Sequence, residues 1–173
     1  MTYELQINMS TYILGFLVIF VMPIVITVGA EYGINKAITI KVIIFSLIVS
    51  TASFIAMLMQ FSSSKVILNP INLEINSLLY SEVVDFKDIE TIVYVEDLLP
   101  PEQNLAIRKN GIGLFGYKAG TYALKDKSRA FVQMTTAPYI FITLKDEQKS
   151  YIITSNKEVY LEILDLTKLS EKL

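Results

Sequence analysis

The sequence predicts a two-helix transmembrane hairpin followed by a mainly-β domain. That domain is a barrel or sandwich of about seven antiparallel strands with a carboxy-terminal α-helix. Three observations carry this reading. Between Glu4 and Lys65 only Glu31, Lys36 and Lys41 are charged, and they sit together between two apolar runs. Beyond Lys65, short runs rich in β-branched and aromatic residues are punctuated by turn residues. Near the carboxy terminus, apolar residues recur at helical spacing. The division falls at residues 1–64 for the hairpin and 65–173 for the domain.

The first apolar run covers residues 11–30 and the second residues 42–61, each uncharged. About 20 such residues suffice for a helix to cross some 30 Å of hydrocarbon. A helix closes its own backbone hydrogen bonds, which lipid requires of a spanning segment. The first ten residues contain no Lys or Arg, unlike the basic start of a cleaved signal peptide. Pro23 interrupts the first run; such a proline is read as a tolerated kink, or as a hinge. Ser46 and Ser50 lie one turn apart in the second run, as residues that let helices approach closely. They serve packing within the hairpin or a homodimer contact. Neither run carries an ionisable residue of the kind ion and proton pathways use. Two crossings put the amino terminus and the domain on the same side. Lys36 and Lys41 in the connecting loop stand against Lys65 on the domain side, which favours an exported domain by one lysine and leaves the side open.

Ser62-Ser63-Ser64 is a short joint that keeps the domain close to the headgroups. Val66–Leu68 ends at Asn69-Pro70; Ile71, Leu73 and Ile75 then alternate with Asn72, Glu74 and Asn76, the period of a half-buried strand. Val83-Val84 leads through a helical turn at 85–89 into Thr91–Val95. Residues 120–125 and 129–134 flank a hairpin tip at Lys125–Ser128, and 139–144 and 151–154 flank a second at Lys145–Gln148. Ser155 and Glu158 read as a capping box opening a helix whose apolar face is Val159, Ile163, Leu166, Leu169 and Leu173.

A strand meander closed by one helix is also the order of pleckstrin-homology (PH) domains, two orthogonal antiparallel sheets with a helix plugging one end. Residues 110–120, Asn-Gly-Ile-Gly-Leu-Phe-Gly-Tyr-Lys-Ala-Gly, followed by Thr121-Tyr122, make the likeness more specific. Val83-Val84-Asp85-Phe86, Asp88-Ile89, Ala137-Pro138-Tyr139-Ile140 and residues 151–155 fit the same pattern. Over about residues 66–166 the chain resembles the bacterial PH-like family, whose members often follow membrane helices. The resemblance implies the fold and a membrane-associated binding role, and brings no catalytic residues with it.

The chain has no cysteine and no histidine, which excludes disulfides, thiolate nucleophiles, histidine-dependent triads and zinc sites built from Cys or His. A formal net charge of −2 argues against nucleic acid as a partner. Gly111, Gly113 and Gly116 match G-x-G-x-x-G, but Pro100-Pro101 precede them and β-rich sequence follows, so no βαβ cofactor site is expected. Together with Gly120 they read as a structural glycine loop or a bulged strand, and such a loop can also hold a ligand.

Charge is segregated along the domain. From Val66 to Ile107, Lys87 stands against Glu74, Glu82, Asp85, Asp88, Glu90, Glu96, Asp97 and Glu102. From Arg108 to Arg129, the bases Arg108, Lys109, Lys118, Lys125, Lys127 and Arg129 stand against Asp126 alone. On one face these bases, with Tyr117 and Tyr122, would meet anionic lipid; strand alternation would split them and leave a solvated hairpin. Asp85, Asp88 and Glu90 match no calcium loop and read as capping and solubilising residues. Leu98-Leu99, in an acidic proline-terminated loop, either tucks under the sheet or meets a partner. No enzyme constellation, cofactor or metal site is found. The expectation is a non-enzymatic module anchored in a bacterial cell membrane. It would recognise a lipid headgroup, a peptide or a membrane-protein partner, the latter two by strand addition at a sheet edge, with room for a homo-oligomer. The alternative is a small sensor or regulatory subunit of a larger membrane complex.

Overall fold

The computed structural model describes residues 1–145 and 149–170, with the side chains of 169 and 170 left out. The chain forms two units, Ile7–Ser62 and a β-rich unit made of Met1–Gln6 with Ser63 onward.

The first unit is a pair of helices, α1 (Met9–Asn35) and α2 (Ile40–Ser62). Their 27 and 23 residues exceed the predicted spans, and in their most apolar stretches only 6% and 17% of residues are buried. That distinguishes them from core helices of a soluble protein, and both are long and apolar enough to cross a bilayer. Pro23 offers no N–H to the carbonyl four residues earlier, and α1 passes through a π turn over Phe16–Val21 just before it. Lys36, at φ 54°, ends α1, and Thr39 Oγ1 donates to Glu31 across the loop at 3.1 Å. Gly15 on α1 and Ser46 and Ser50 on α2 are buried within the unit. The small-residue row is thus used inside the hairpin, where Phe54 meets Phe16 and Phe20 at centroid distances of 5.5 and 6.1 Å.

Among the described residues the β-rich unit has ten strands, not about seven. Strands β1 (Thr2–Glu4), β2 (Lys65–Leu68), β3 (Asn72–Asn76) and β4 (Ser81–Asp85) form one antiparallel sheet in that order. A second sheet is built from β5 (Ile89–Val95), β6 (Leu105–Leu114), β7 (Tyr117–Leu124), β8 (Arg129–Met134), β9 (Tyr139–Leu144) and β10 (Lys149–Thr154), ordered β5-β9-β10-β8-β7-β6. The two predicted hairpins, β7–β8 and β9–β10, are present. The expected meander is not complete: β10 inserts between β9 and β8 and runs parallel to β8, with Tyr151 beside Phe131. Helix α3 (Lys157–Ser170) follows. Its cap is Asn156, whose Oδ1 accepts from Val159 N–H at 3.0 Å, one residue later than the predicted Ser155. Val159 and Ile163 face the core as expected; the Leu169 side chain, Leu173 and Asp146–Gln148 of the second hairpin tip lie outside the described residues.

One core lies between the two sheets and α3, built on Leu73, Ile75, Phe86, Phe131, Ile142, Ile153 and Ile163. A second covers the other face of the six-stranded sheet, with Tyr122, Leu124, Val132, Phe141 and Ile152. Both faces of the central strands are therefore buried, and residues 130–134 and 150–153 show no polar alternation in burial. Because β5 and β6 are consecutive in the chain but lie at opposite edges, their connection must cross one face. It does so with Leu99 inserted in the second core at 7% exposure and Leu98 outside at 86%. The crossing is held where Lys125 and Asp126 N–H donate to Asn104 and Glu102 carbonyls.

The amino-terminal strand is bound twice. Leu68 N–H donates to Met1 O at 2.8 Å, and the Tyr3 hydroxyl donates to Glu162 on α3. That bond to a carboxylate, with burial adding to it, pushes the Tyr3 hydroxyl from 10 up to about 12.

Two predictions follow from this packing. Leu99→Ala should destabilise the full chain by about 2–4 kcal/mol while Leu98→Ala changes it by less than about 0.5 kcal/mol, read from denaturant midpoints in detergent. A group whose pKa rises on folding stabilises the protein below its unfolded value. Tyr3→Phe should therefore lower stability at pH 8, and its deficit should shrink as the pH climbs from 10 towards 12. Equal stability of the two proteins at pH 8 would mean that the hydroxyl contributes nothing.

Candidate ligand-binding surface

The glycine segment folds as a hairpin of β6 and β7. Leu114 pairs with Tyr117, and the two residues between them, Phe115 and Gly116, take φ of 48° and 94°, the left-handed pair a tight hairpin turn requires. Gly111 faces Gly120, which has φ 109°. A Cβ on Gly120 would meet Asn110 O at 2.4 Å and Gly111 Cα at 2.5 Å, so the two strands approach too closely for any side chain there. The G-x-G-x-x-G match is thus spent on strand and turn geometry. Of the two readings of this segment, the bulged strand is the one observed, with register shifts in β6 at Leu105/Ile107 and Arg108/Asn110.

Register decides what the bases do. Arg108 pairs with Tyr122, and Lys109 is the extra residue of the bulge. Gly113 pairs with Lys118, four residues from Tyr122 and so on the same face of β7. The Arg108 side chain runs along the strand towards Gly113, where a Cβ would lie 3.8 Å from its Nη1 and 3.2 Å from Tyr122 Oη. Arg108, Lys118 and Tyr122 thus share one face of the hairpin, and the missing side chain at Gly113 lets the Tyr122 hydroxyl come close to the strand. They line a groove of about 560 Å³ whose end is the Phe115-Gly116 turn. The Tyr122 hydroxyl donates to Ile112 O at 2.8 Å, and burial pushes its pKa up while Arg108 pulls against the shift. Among the described residues neither Arg108 nor Lys118 belongs to an ion pair.

The other bases are elsewhere. Lys125 and Lys127 sit in the β7–β8 turn, with Asp126 Oδ1 accepting from Ser128 N–H and Oγ. Arg129 pairs with Ala123 and Lys149, on the face opposite Arg108. The eight residues of β7 separate this turn from Tyr117 by roughly 25 Å. The six bases therefore do not share one face. Near the far turn a second concavity of about 520 Å³ mixes Glu90, Asp126 and Lys127.

Elsewhere in the unit, Lys149 on β10 joins Glu82 on β4 at 2.9 Å. Burial pulls its ammonium down, but the Glu82 carboxylate and the Tyr151 hydroxyl more than offset this and hold it above its ordinary value. Asp85 meets Lys87 at 3.6 Å, and among the described residues no three acidic side chains gather as metal donors.

Comparison with protein families finds a match to the bacterial PH domain over residues 64–162. The chain belongs to the bacterial PH domain family. Comparisons with curated proteins and with solved structures returned no match. A bacterial PH domain is in general a binding module, and the matched range contains both strands of the grooved hairpin. Within this PH domain the sequence reading named Tyr122 only as an added interfacial contact; the structure buries it opposite Arg108. The signal was present in the turn: a two-residue turn at Phe115-Gly116 sets Gly113 opposite Lys118.

The glycines give a sharp test. Gly120→Ala places a Cβ against backbone at a left-handed φ and should cost about 2–3 kcal/mol or prevent folding. Gly113→Ala meets only side-chain ends and should stay within about 1 kcal/mol of wild type in the same denaturation assay.

Proposed function

We propose that this chain is a membrane-tethered, non-enzymatic binding module whose PH domain recognises an anionic group at the bilayer surface. The two apolar helices support the tether, and family membership supports the binding role. The observation that carries the ligand class is the placement of Arg108 and Lys118, neither in an ion pair among the described residues, on one face of the β6–β7 hairpin along the same groove. Two cations beside a tyrosine hydroxyl suit a phosphate-bearing headgroup, each base contributing about 1 kcal/mol near a charged surface. A peptide added to the free edge of β6 is less favoured. That edge carries two register shifts together with Arg108 and Lys109, features that discourage strand addition. The same groove would serve a regulatory subunit that reads lipid charge within a larger complex.

The test is retention of lipid by the full chain, purified in detergent with phosphatidylglycerol and phosphatidylcholine in equal amounts and weighed by native mass spectrometry. Phosphatidylglycerol should be retained preferentially. Arg108→Ala and Lys118→Ala should each reduce that preference about fivefold, while Lys125→Ala leaves it unchanged. Equal retention of both lipids by the wild-type chain, or a preference insensitive to Arg108 and Lys118, would overturn the reading.

A further inference from the structure

A second feature of the PH domain concerns how it meets the bilayer. The β3–β4 turn is closed by Ser77, whose N–H and Oγ donate to Tyr80 O at 2.8 and 2.9 Å and whose Oγ accepts from Tyr80 N–H at 3.3 Å. This rigid turn carries two leucines at its tip, Leu78 and Leu79, 46% and 64% exposed. Turn tips are normally polar, and adjacent exposed leucines bring no benefit to a domain surrounded by water.

The pairing register says which end of the sheet they occupy. Glu4 pairs with Lys65, Lys65 with Asn76, and Asn76 with Ser81, forming one row across all four strands. The Leu78-Leu79 turn lies just past this row. So do both junctions with the helices: the chain runs from Glu4 through Gln6 to α1 at Met9, and from α2 at Ser62 to Lys65. The same corner is fastened by Leu5 N–H to Ser64 O at 3.0 Å, Ser64 Oγ to Tyr117 Oη at 2.8 Å and Gln133 Nε2 to Asn76 O at 2.6 Å. Two residues link Gln6 to Met9 and two link Ser62 to Lys65, so each tether spans at most about 10 Å. Adjacent strands are about 4.8 Å apart. The turn therefore leaves the sheet at the end from which both short tethers depart, one strand from one tether and two strands from the other.

We propose that Leu78 and Leu79 form an apolar anchor that enters the bilayer interface beside the two helix junctions. The occupant is lipid because the turn shares the end of the sheet that both helix tethers leave and because residues 77–81 carry no charge that would resist entry. The anchor does not depend on the Arg108–Lys118 groove.

The absence of native cysteine makes the test direct. Single-cysteine variants Leu79→Cys, Val49→Cys in α2 and Lys125→Cys in the β7–β8 turn are labelled with an environment-sensitive fluorophore. The full chain is placed in phosphatidylcholine vesicles, with or without nitroxide-bearing lipid, and exposed to iodide. The labels at 79 and 49 should be quenched by the lipid nitroxide and the label at 125 only by iodide. Quenching at 79 by iodide alone, with 49 in lipid, would overturn the anchor. Protection at 79 from both quenchers would mean that protein covers the turn and would also overturn it. If 49 escapes the lipid quencher, the membrane reading falls and the anchor with it. A neutral bilayer carries no anionic ligand, so failure of the groove to select phosphatidylglycerol leaves these outcomes unaltered.

Discussion

The antiparallel pairing of β1 with β2 is the constraint on which the rest of the molecule depends. It joins Thr2–Glu4 to Lys65–Leu68 across the whole helical hairpin, so the hairpin is an insertion between two neighbouring strands of one sheet. A three-residue strand paired across so long an excursion would ordinarily be costly, since closing a loop grows dearer with its length. An antiparallel helix pair removes most of that cost, because it returns the chain near its starting point. Tyr3 then adds its bond to Glu162 on α3, tying the first strand to the last helix. The consequence is that two short covalent links, rather than one serine joint, leave the same end of one sheet.

Local sequence is most legible where one rule of burial applies. The helices are visible because each is a long uncharged apolar run on every side, a pattern that needs no periodicity to be seen. Strand β3 is visible because Leu73 and Ile75 are buried while their neighbours are not. The central strands of the larger sheet are visible only as runs between turns. Their order is hidden, since nothing in Tyr151–Ile153 says that its partners are Phe131 on one side and Phe141 on the other. Strand β1 left no signal because its stability comes from β2 and α3. Strand β6 was obscured by its own glycines, which suit a bulged edge as well as a loop.

The surface follows the same logic. Six bases close in sequence allow either one patch or a hairpin whose two-residue period divides them between faces. The bulge at Arg108/Asn110 then changes which bases share a face, turning Arg108 towards Tyr122 and leaving Lys109 unpaired in the ladder. A bulge is a property of two strands together, so neither strand's sequence announces it. The family likeness was readable from the glycine segment, whose glycines serve as turn and close strand contact and, at Gly113 and Gly116, line the groove.

The geometry of β6 also argues for where a ligand would lie. An edge strand can offer its backbone sideways to another strand or its side chains to a ligand above the face. Irregular register and two basic residues obstruct the first use. The second is favoured by what is missing at Gly113: any larger residue would press on Tyr122 Oη and the Arg108 guanidinium. Tyr122 itself is committed to Ile112 O, which fixes the ring and lets it act as a wall without reorganising on binding. A preformed wall and two cations on one face need little ordering to receive a small charged group.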